Sequence, residues 1–157
     1  MERPKVARDI MVTDLVTLDP QMDVFDAIDL LLKHKISGAP VVNAEGKFVG
    51  VFTEKDCLRV LVNAAYEQLP TMQIYAFVQT KTQTVSEETD ILTIAQIFLS
   101  NAFRRLPVVR GDRVVGQISR RDVLSAVSSV KSPHAEHHKA RLLYLSSLVA
   151  LEDAPIS

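Results

Sequence analysis

The stretches GVFTEKD (residues 50–56) and GQISRRD (residues 116–122) share one order of side-chain types: a glycine, strand formers, a hydroxyl, two charged residues and an aspartate. A hydroxyl followed three residues later by a carboxylate, at the start of a helix, supports two kinds of chemistry. In the first, Thr53 with Asp56 and Ser119 with Asp122 form capping boxes that tie down free N–H groups. In the second, the helix N-terminus, with unpaired N–H donors and partial positive charge, takes up a phosphate. The hydroxyl adds a donor to that anion, and the carboxylate accepts from a vicinal diol such as ribose. Phosphate and ribose together specify a nucleotide. Two details bear on the choice. The acid is aspartate twice, where the box favours the longer Glu or Gln. Gly50 and Gly116 lie inside strands, where glycine marks the close approach of a ligand or another backbone. The residue types leave both readings open.

Charge separates the two junctions. Arg104 and Arg105 precede the second one in the fold, and Arg120 and Arg121 lie inside it. Guanidinium groups bind phosphate bidentately, so four near one helix start form a candidate phosphate pocket. At least two of the four are expected to be ordinary solvated side chains, and the clustering favours Arg104 and Arg105 as the contacts. The first copy has Ser37 and Gly38 in place of that pair, and Lys55 in its junction.

The elements that must position these residues also come twice. At an offset of 67, Thr13 meets Thr80, Asp23 meets Asp90 and Pro40-Val41-Val42 meets Pro107-Val108-Val109; after a turn one residue shorter, Gly50 meets Gly116 and Asp56 meets Asp122 at an offset of 66. Val24, Ala27, Ile28, Leu31 and Leu32 have the spacing of a helix with one buried face, and Ile91, Ile94, Ala95, Phe98 and Leu99 repeat it. Asp23 and Asp90 stand where an N-cap belongs. The runs APVVN and FVGVF, and LPVVR and VVGQI, flank turn residues and predict hairpins. A helix follows each hairpin, with Leu58, Leu61, Val62 and Ala65 expected on its buried face in copy one. Each copy thus reads strand, helix, strand, strand, helix, too small to bury much surface alone. The predicted class is α/β (α+β), two β-α-β-β-α units packed sheet to sheet. The expected domains are 6–65 and 76–130, with a connector at 66–75 and a C-terminal helical extension at 131–157.

A chain of 157 residues, 47% hydrophobic and 24% charged, can bury a core, and its net charge of −1 gives no basic footprint for nucleic acid. No apolar run has the length of a membrane span, and MERPKVARDIM lacks a secretory pattern, so a cytoplasmic protein is expected. Cys57 is the only cysteine, which excludes an intramolecular disulfide and cysteine-rich zinc sites. It is expected to be an inert, half-buried thiol. His134, His137 and His138 could share a helical face, but without acidic or cysteine partners they are expected to form a solvated helix start, and no metal is expected.

On RDIMVTDLVTL, SGAPVVNAEGKFVGVFTEKD and RRLPVVRGDRVVGQISRRD, residues 6 to 130 resemble a tandem pair of cystathionine-β-synthase-type domains, the CBS pair or Bateman module. The resemblance implies two units packed through their sheets, a homodimer formed through helices, and a regulatory role. It implies binding of AMP, ADP, ATP or S-adenosylmethionine, in clefts between the copies, as ligand and not as catalytic cofactor. Asp56 and Asp122 would hold ribose, and Thr53 and Ser119 would face phosphate with Arg104, Arg105, Arg120 and Arg121. Ile36, Ser37, Gly38, Ala39 and Pro40, with Leu106 and Pro107, would line the base pocket. The pattern departs at the start of copy two, where YAFVQ stands in place of RDIMV.

Three function classes follow. The first is a non-catalytic sensor that alters a separate protein partner, whose identity is unknown, when occupied. The second is a ligand-independent dimerisation module in which the junctions are only caps. An enzyme is the third and weakest, since no Ser/His/Asp or Cys/His constellation is present and His34 is the only histidine outside the C-terminal extension.

Overall fold

The computed structural model describes residues 3–66, 72–128, 142–147 and 149. His134, His137, His138 and most of the C-terminal extension lie outside them, as do residues 67–71 of the connector. In chain order the elements are α1 (Ala7–Ile10), α2 (Val24–His34), β1 (Gly38–Val42), β2 (Phe48–Thr53), α3 (Glu54–Tyr66), a 3-10 turn (Ile74–Ala76), β3 (Val85–Ser86), α4 (Ile91–Ser100), β4 (Arg105–Arg110), β5 (Arg113–Ser119) and α5 (Arg120–Ser128). Residues 142–147 are helical. No helix among the described residues is long and apolar enough to cross a membrane.

The chain divides into two compact units. One comprises Asp14–Thr84 with Val109–Val115; the other holds the described residues up to Thr13, Val85–Val108 and those from Gly116 onward. These units do not follow the order of the repeats, because the N-terminal residues belong with the second copy.

In the first unit, Asp23 caps α2 by accepting from the Phe25 amide at 2.8 Å. Lys35 ends the helix in the left-handed region, at φ 54°, and Ile36 returns its N–H to the Leu31 carbonyl at 3.0 Å. Strands β1 and β2 form the expected antiparallel hairpin, with Gly38 opposite Thr53 and Val41 opposite Gly50. The turn is held by Asn43, whose side chain accepts from the Glu45 and Lys47 amides. Leu18, Val24, Ala27, Leu31, Ala39, Val41, Phe52, Cys57, Val60 and Ile74 make up the core. The strand expected ahead of α2 is reduced to a single parallel bridge from Leu18 to Val41. Pro20 follows two residues later and has no N–H to extend a ladder.

The second unit repeats the plan. Asp90 accepts from the Thr93 amide at 2.9 Å and caps α4. The short strand β3 pairs with β4, and β4 with β5. The N-terminal residues are bonded into this unit: the Ala7 amide donates to the Thr89 carbonyl at 2.8 Å, the Arg8 amide to Glu87 at 2.9 Å, and Val12 bridges Gln117 in both directions. The Arg8 guanidinium adds ion pairs to Glu87, at 3.3 Å, and to Glu88.

Two expectations about helix faces are corrected. Leu32 and Leu99 sit one position past the buried arcs of α2 and α4 and are exposed. On α3 the buried residues are Asp56, Cys57 and Val60, whereas Leu58 is 62% exposed and Leu61, Val62 and Ala65 are exposed with it. The largest apolar side chains of that helix form an outer stripe, and smaller residues face the core.

Candidate functional site

Each junction is the point where a hairpin strand runs straight into a helix. In the first, Thr53 ends β2 and α3 begins at Glu54; in the second, Ser119 ends β5 and α5 begins at Arg120. The boxes of the capping reading are formed in both. Asp56 Oδ2 accepts from the Thr53 amide and hydroxyl, each at 2.9 Å, while the Thr53 hydroxyl oxygen accepts from the Asp56 amide at 3.3 Å. Asp122 Oδ2 accepts from the Ser119 amide at 2.8 Å and hydroxyl at 2.9 Å, and the hydroxyl accepts from the Asp122 amide at 3.2 Å. Both hydroxyls therefore point their proton at the carboxylate, not outward as a donor to an anion.

The two aspartates, expected to play one part, differ in their second oxygen. Asp56 Oδ1 accepts from Arg59 Nη1 at 2.8 Å and from Gln79 Nε2 at 2.9 Å. With four donors and 2% exposure, Asp56 is saturated and buried. Asp122 is only partly buried, and its Oδ1 has no hydrogen-bond donor among the described residues. The helix starts differ in the same sense. The Glu54 amide donates to the Ser37 carbonyl at 2.9 Å, whereas no backbone acceptor meets the Arg120 amide among the described residues.

The glycines are explained by close packing. A Cβ on Gly50 would overlap the Gln79 carbonyl oxygen, and one on Gly116 would overlap the Met11 side chain. In the first junction the neighbour is backbone, one of the two alternatives expected; in the second it is a methionine side chain.

Arg104, Arg105, Arg120 and Arg121 are all exposed, and none of the four is paired with a carboxylate among the described residues. Arg105 opens β4, in the place that Gly38 holds opposite Thr53 in the first copy, and Arg104 precedes it. Arg120 and Arg121 are the first two residues of α5. An uncompensated cationic group of this kind at a helix N-terminus, beside an open carboxylate oxygen, offers donors to an anion and an acceptor to a hydroxyl. Of the residues expected at a base pocket, Gly38, Ala39, Pro40, Leu106 and Pro107 are buried within their strands, while Ile36 and Ser37 are half-buried. Among the described residues no cluster of His, Cys, Asp and Glu could hold a metal ion.

Gln79 and Arg59 were not singled out by the sequence reading, although a signal existed. At the repeat offsets Gln79 corresponds to Val12 and Arg59 to Ser125. The first pair lies inside YAFVQ and RDIMV, where the second copy departs from the first.

The CBS domain family model matches residues 7–63 and 74–129. The chain belongs to the CBS domain family. It is 32% identical over 122 residues to the protein MJ1225 of Methanocaldococcus jannaschii, covering 78% of this chain and 42% of that one. It is 33% identical over 120 residues to the A-adding tRNA nucleotidyltransferase of Aquifex aeolicus, covering 76% of this chain and 14% of the enzyme. The CBS-pair chain thus spans less than half of either relative. Among solved structures, the Arabidopsis thaliana CBS-pair protein CBSX2 in complex with AMP is 26% identical, with a TM-score of 0.70, and the match covers 82% of this chain and 99% of that one. The tandem CBS repeat and the mixed α/β architecture follow from these matches together with the elements above.

Proposed function

We propose that this chain is a regulatory module that binds an adenosine nucleotide at the second junction and signals its occupancy to a separate protein. The observation that carries the reading is Asp122: its Oδ1 lacks a donor among the described residues, on a helix whose first two residues, Arg120 and Arg121, are exposed cations. A vicinal diol supplies the missing donors to that oxygen, and a phosphate suits the Arg120 amide and the guanidinium groups of Arg104 and Arg105. The likeness to CBSX2, solved with AMP, supports an adenosine ligand. Regulation then requires that the ligand bind two conformations of the module with different affinity.

Calorimetric titration of the purified chain with AMP, ADP, ATP and S-adenosylmethionine tests the proposal. Saturable heat with at least one of them is expected, and Asp122→Ala removes it while the circular dichroism spectrum is kept. Absence of heat with all four at high protein concentration sinks the sensor.

One observation favours a second property, self-association. The exposed stripe of Leu58, Leu61 and Val62 on α3, extended by Tyr66 at 85% exposure, is a candidate face for a second copy of the chain. A homodimer formed there is compatible with the sensor and also with a module that associates without ligand.

A further inference from the structure

The two junctions share a backbone plan down to their bridges. Val51 exchanges N–H···O bonds with Gln79, at 3.0 and 2.9 Å, as Gln117 does with Val12, at 3.0 and 2.8 Å. What differs is what the bridged residue and the helix present to the aspartate. In the first copy Gln79 donates an amide N–H and Arg59 a guanidinium N–H to the same carboxylate oxygen. In the second copy these positions are Val12, which has no side-chain donor, and Ser125, which has no charge.

We infer that Gln79 and Arg59 close the first junction, so that the chain takes one adenosine nucleotide, at Asp122, and that these two side chains decide which copy is open. The inference rests on the nucleotide reading above and narrows it. A diol arriving at Asp56 has to displace two donors from an oxygen that is already satisfied, one of them charge-assisted, with the carboxylate buried beneath them. Exchange of like for like brings little gain in water, and the ion pair with Arg59 is lost as well. At Asp122 the diol replaces water on an oxygen that no described residue engages, and it breaks no protein contact. Gln79 and Arg59 are themselves at the surface, Arg59 with a side chain 47% exposed, so they can be replaced without opening the core.

The test is the stoichiometry of AMP binding to the full chain, by calorimetry. The wild type is expected to bind one AMP per chain, and Asp122→Ala none. The double variant Gln79→Val and Arg59→Ser, which installs the residues of the second copy, is expected to bind two, the added equivalent disappearing with Asp56→Asn. Two equivalents in the wild type, or one in a folded double variant, overturns the inference while leaving the nucleotide reading intact. If the double variant does not fold, Gln79→Val alone is expected to show a second, weaker equivalent, and its absence counts the same way. If the wild type takes up no AMP, the nucleotide reading fails in its AMP form. The closure is then judged by a double-mutant cycle between Asp56→Asn and Gln79→Val in urea. Non-additive losses are expected, and additive ones overturn it.

Discussion

Ser119 and Asp122 are joined by three hydrogen bonds: the serine amide and hydroxyl donate to Oδ2 at 2.8 and 2.9 Å, and the hydroxyl accepts from the aspartate's own amide at 3.2 Å. The carboxylate is thereby fixed in position with one oxygen spent and the other available. A group that binds a ligand hydroxyl gains from such fixing, because its rotamer is set before the ligand arrives. Capping and binding are consequently compatible at this aspartate, each using a different oxygen.

Removing the carboxylates should cost different amounts. Asp122→Ala loses a cap of the ordinary kind and is expected to destabilise by about 1 kcal/mol. Asp56→Ala also leaves Arg59 and Gln79 without their acceptor and empties a buried position, so a loss of roughly 2–3 kcal/mol is expected. Urea unfolding of the two variants checks the order; equal losses would contradict the difference in their surroundings.

Arg104 and Arg105 make no ion pair among the described residues, so truncating them should leave stability within roughly 0.5 kcal/mol. Binding should respond instead. Arg104→Ala or Arg105→Ala is expected to weaken AMP by about tenfold, the scale of one charge-assisted hydrogen bond, with less effect on adenosine, which lacks the phosphate. Equal weakening of AMP and adenosine rules out a phosphate contact.

Burial pushes the Cys57 thiol up from its ordinary 9.0 to about 11, and the negative charge of Asp56 acts in the same direction. The native protein should therefore react slowly with a disulfide reagent at pH 8 and readily once unfolded in urea. The folded state favours the protonated thiol, so this residue's contribution is present in full below about pH 9. It is lost as the pH climbs to about 11. Comparing the wild type with Cys57→Ala across that window isolates the slope; fast labelling of the native protein at pH 8 contradicts it.

The outer stripe on α3 makes a separate prediction. Leu58→Glu with Leu61→Glu alters side chains that are 62% and 48% exposed, and should lower the thermal midpoint of a monomer only slightly. If a second copy covers this face, light scattering will show the mass fall from two chains to one. An unchanged dimer places the interface elsewhere.

The parts of the fold that local chemistry determines were legible in the sequence. Asp23 and Asp90 as caps, the paired hairpins and the Thr53–Asp56 and Ser119–Asp122 boxes depend on residues a few positions apart. The buried face of α3 was misread because its larger apolar residues point outward, and size alone cannot tell a core from a contact surface. The closure of Asp56 was hidden for another reason. Gln79 reaches it across a bridge 23 positions downstream, and only pairing of the two backbones brings them together. The substitution of Gln79 for Val12 was visible all along, but its meaning needed the register.

The bonding of residues 7, 8 and 12 to residues 87, 89 and 117 has a consequence for how the chain is made. During synthesis Ala7, Arg8 and Val12 must wait for partners translated roughly 80 to 105 positions later. The first repeat has all of its own hairpin and helices by then, so it is expected to mature while the leading residues are still loose. A load applied through the segment ahead of α1 would draw on the later-made repeat before the earlier one.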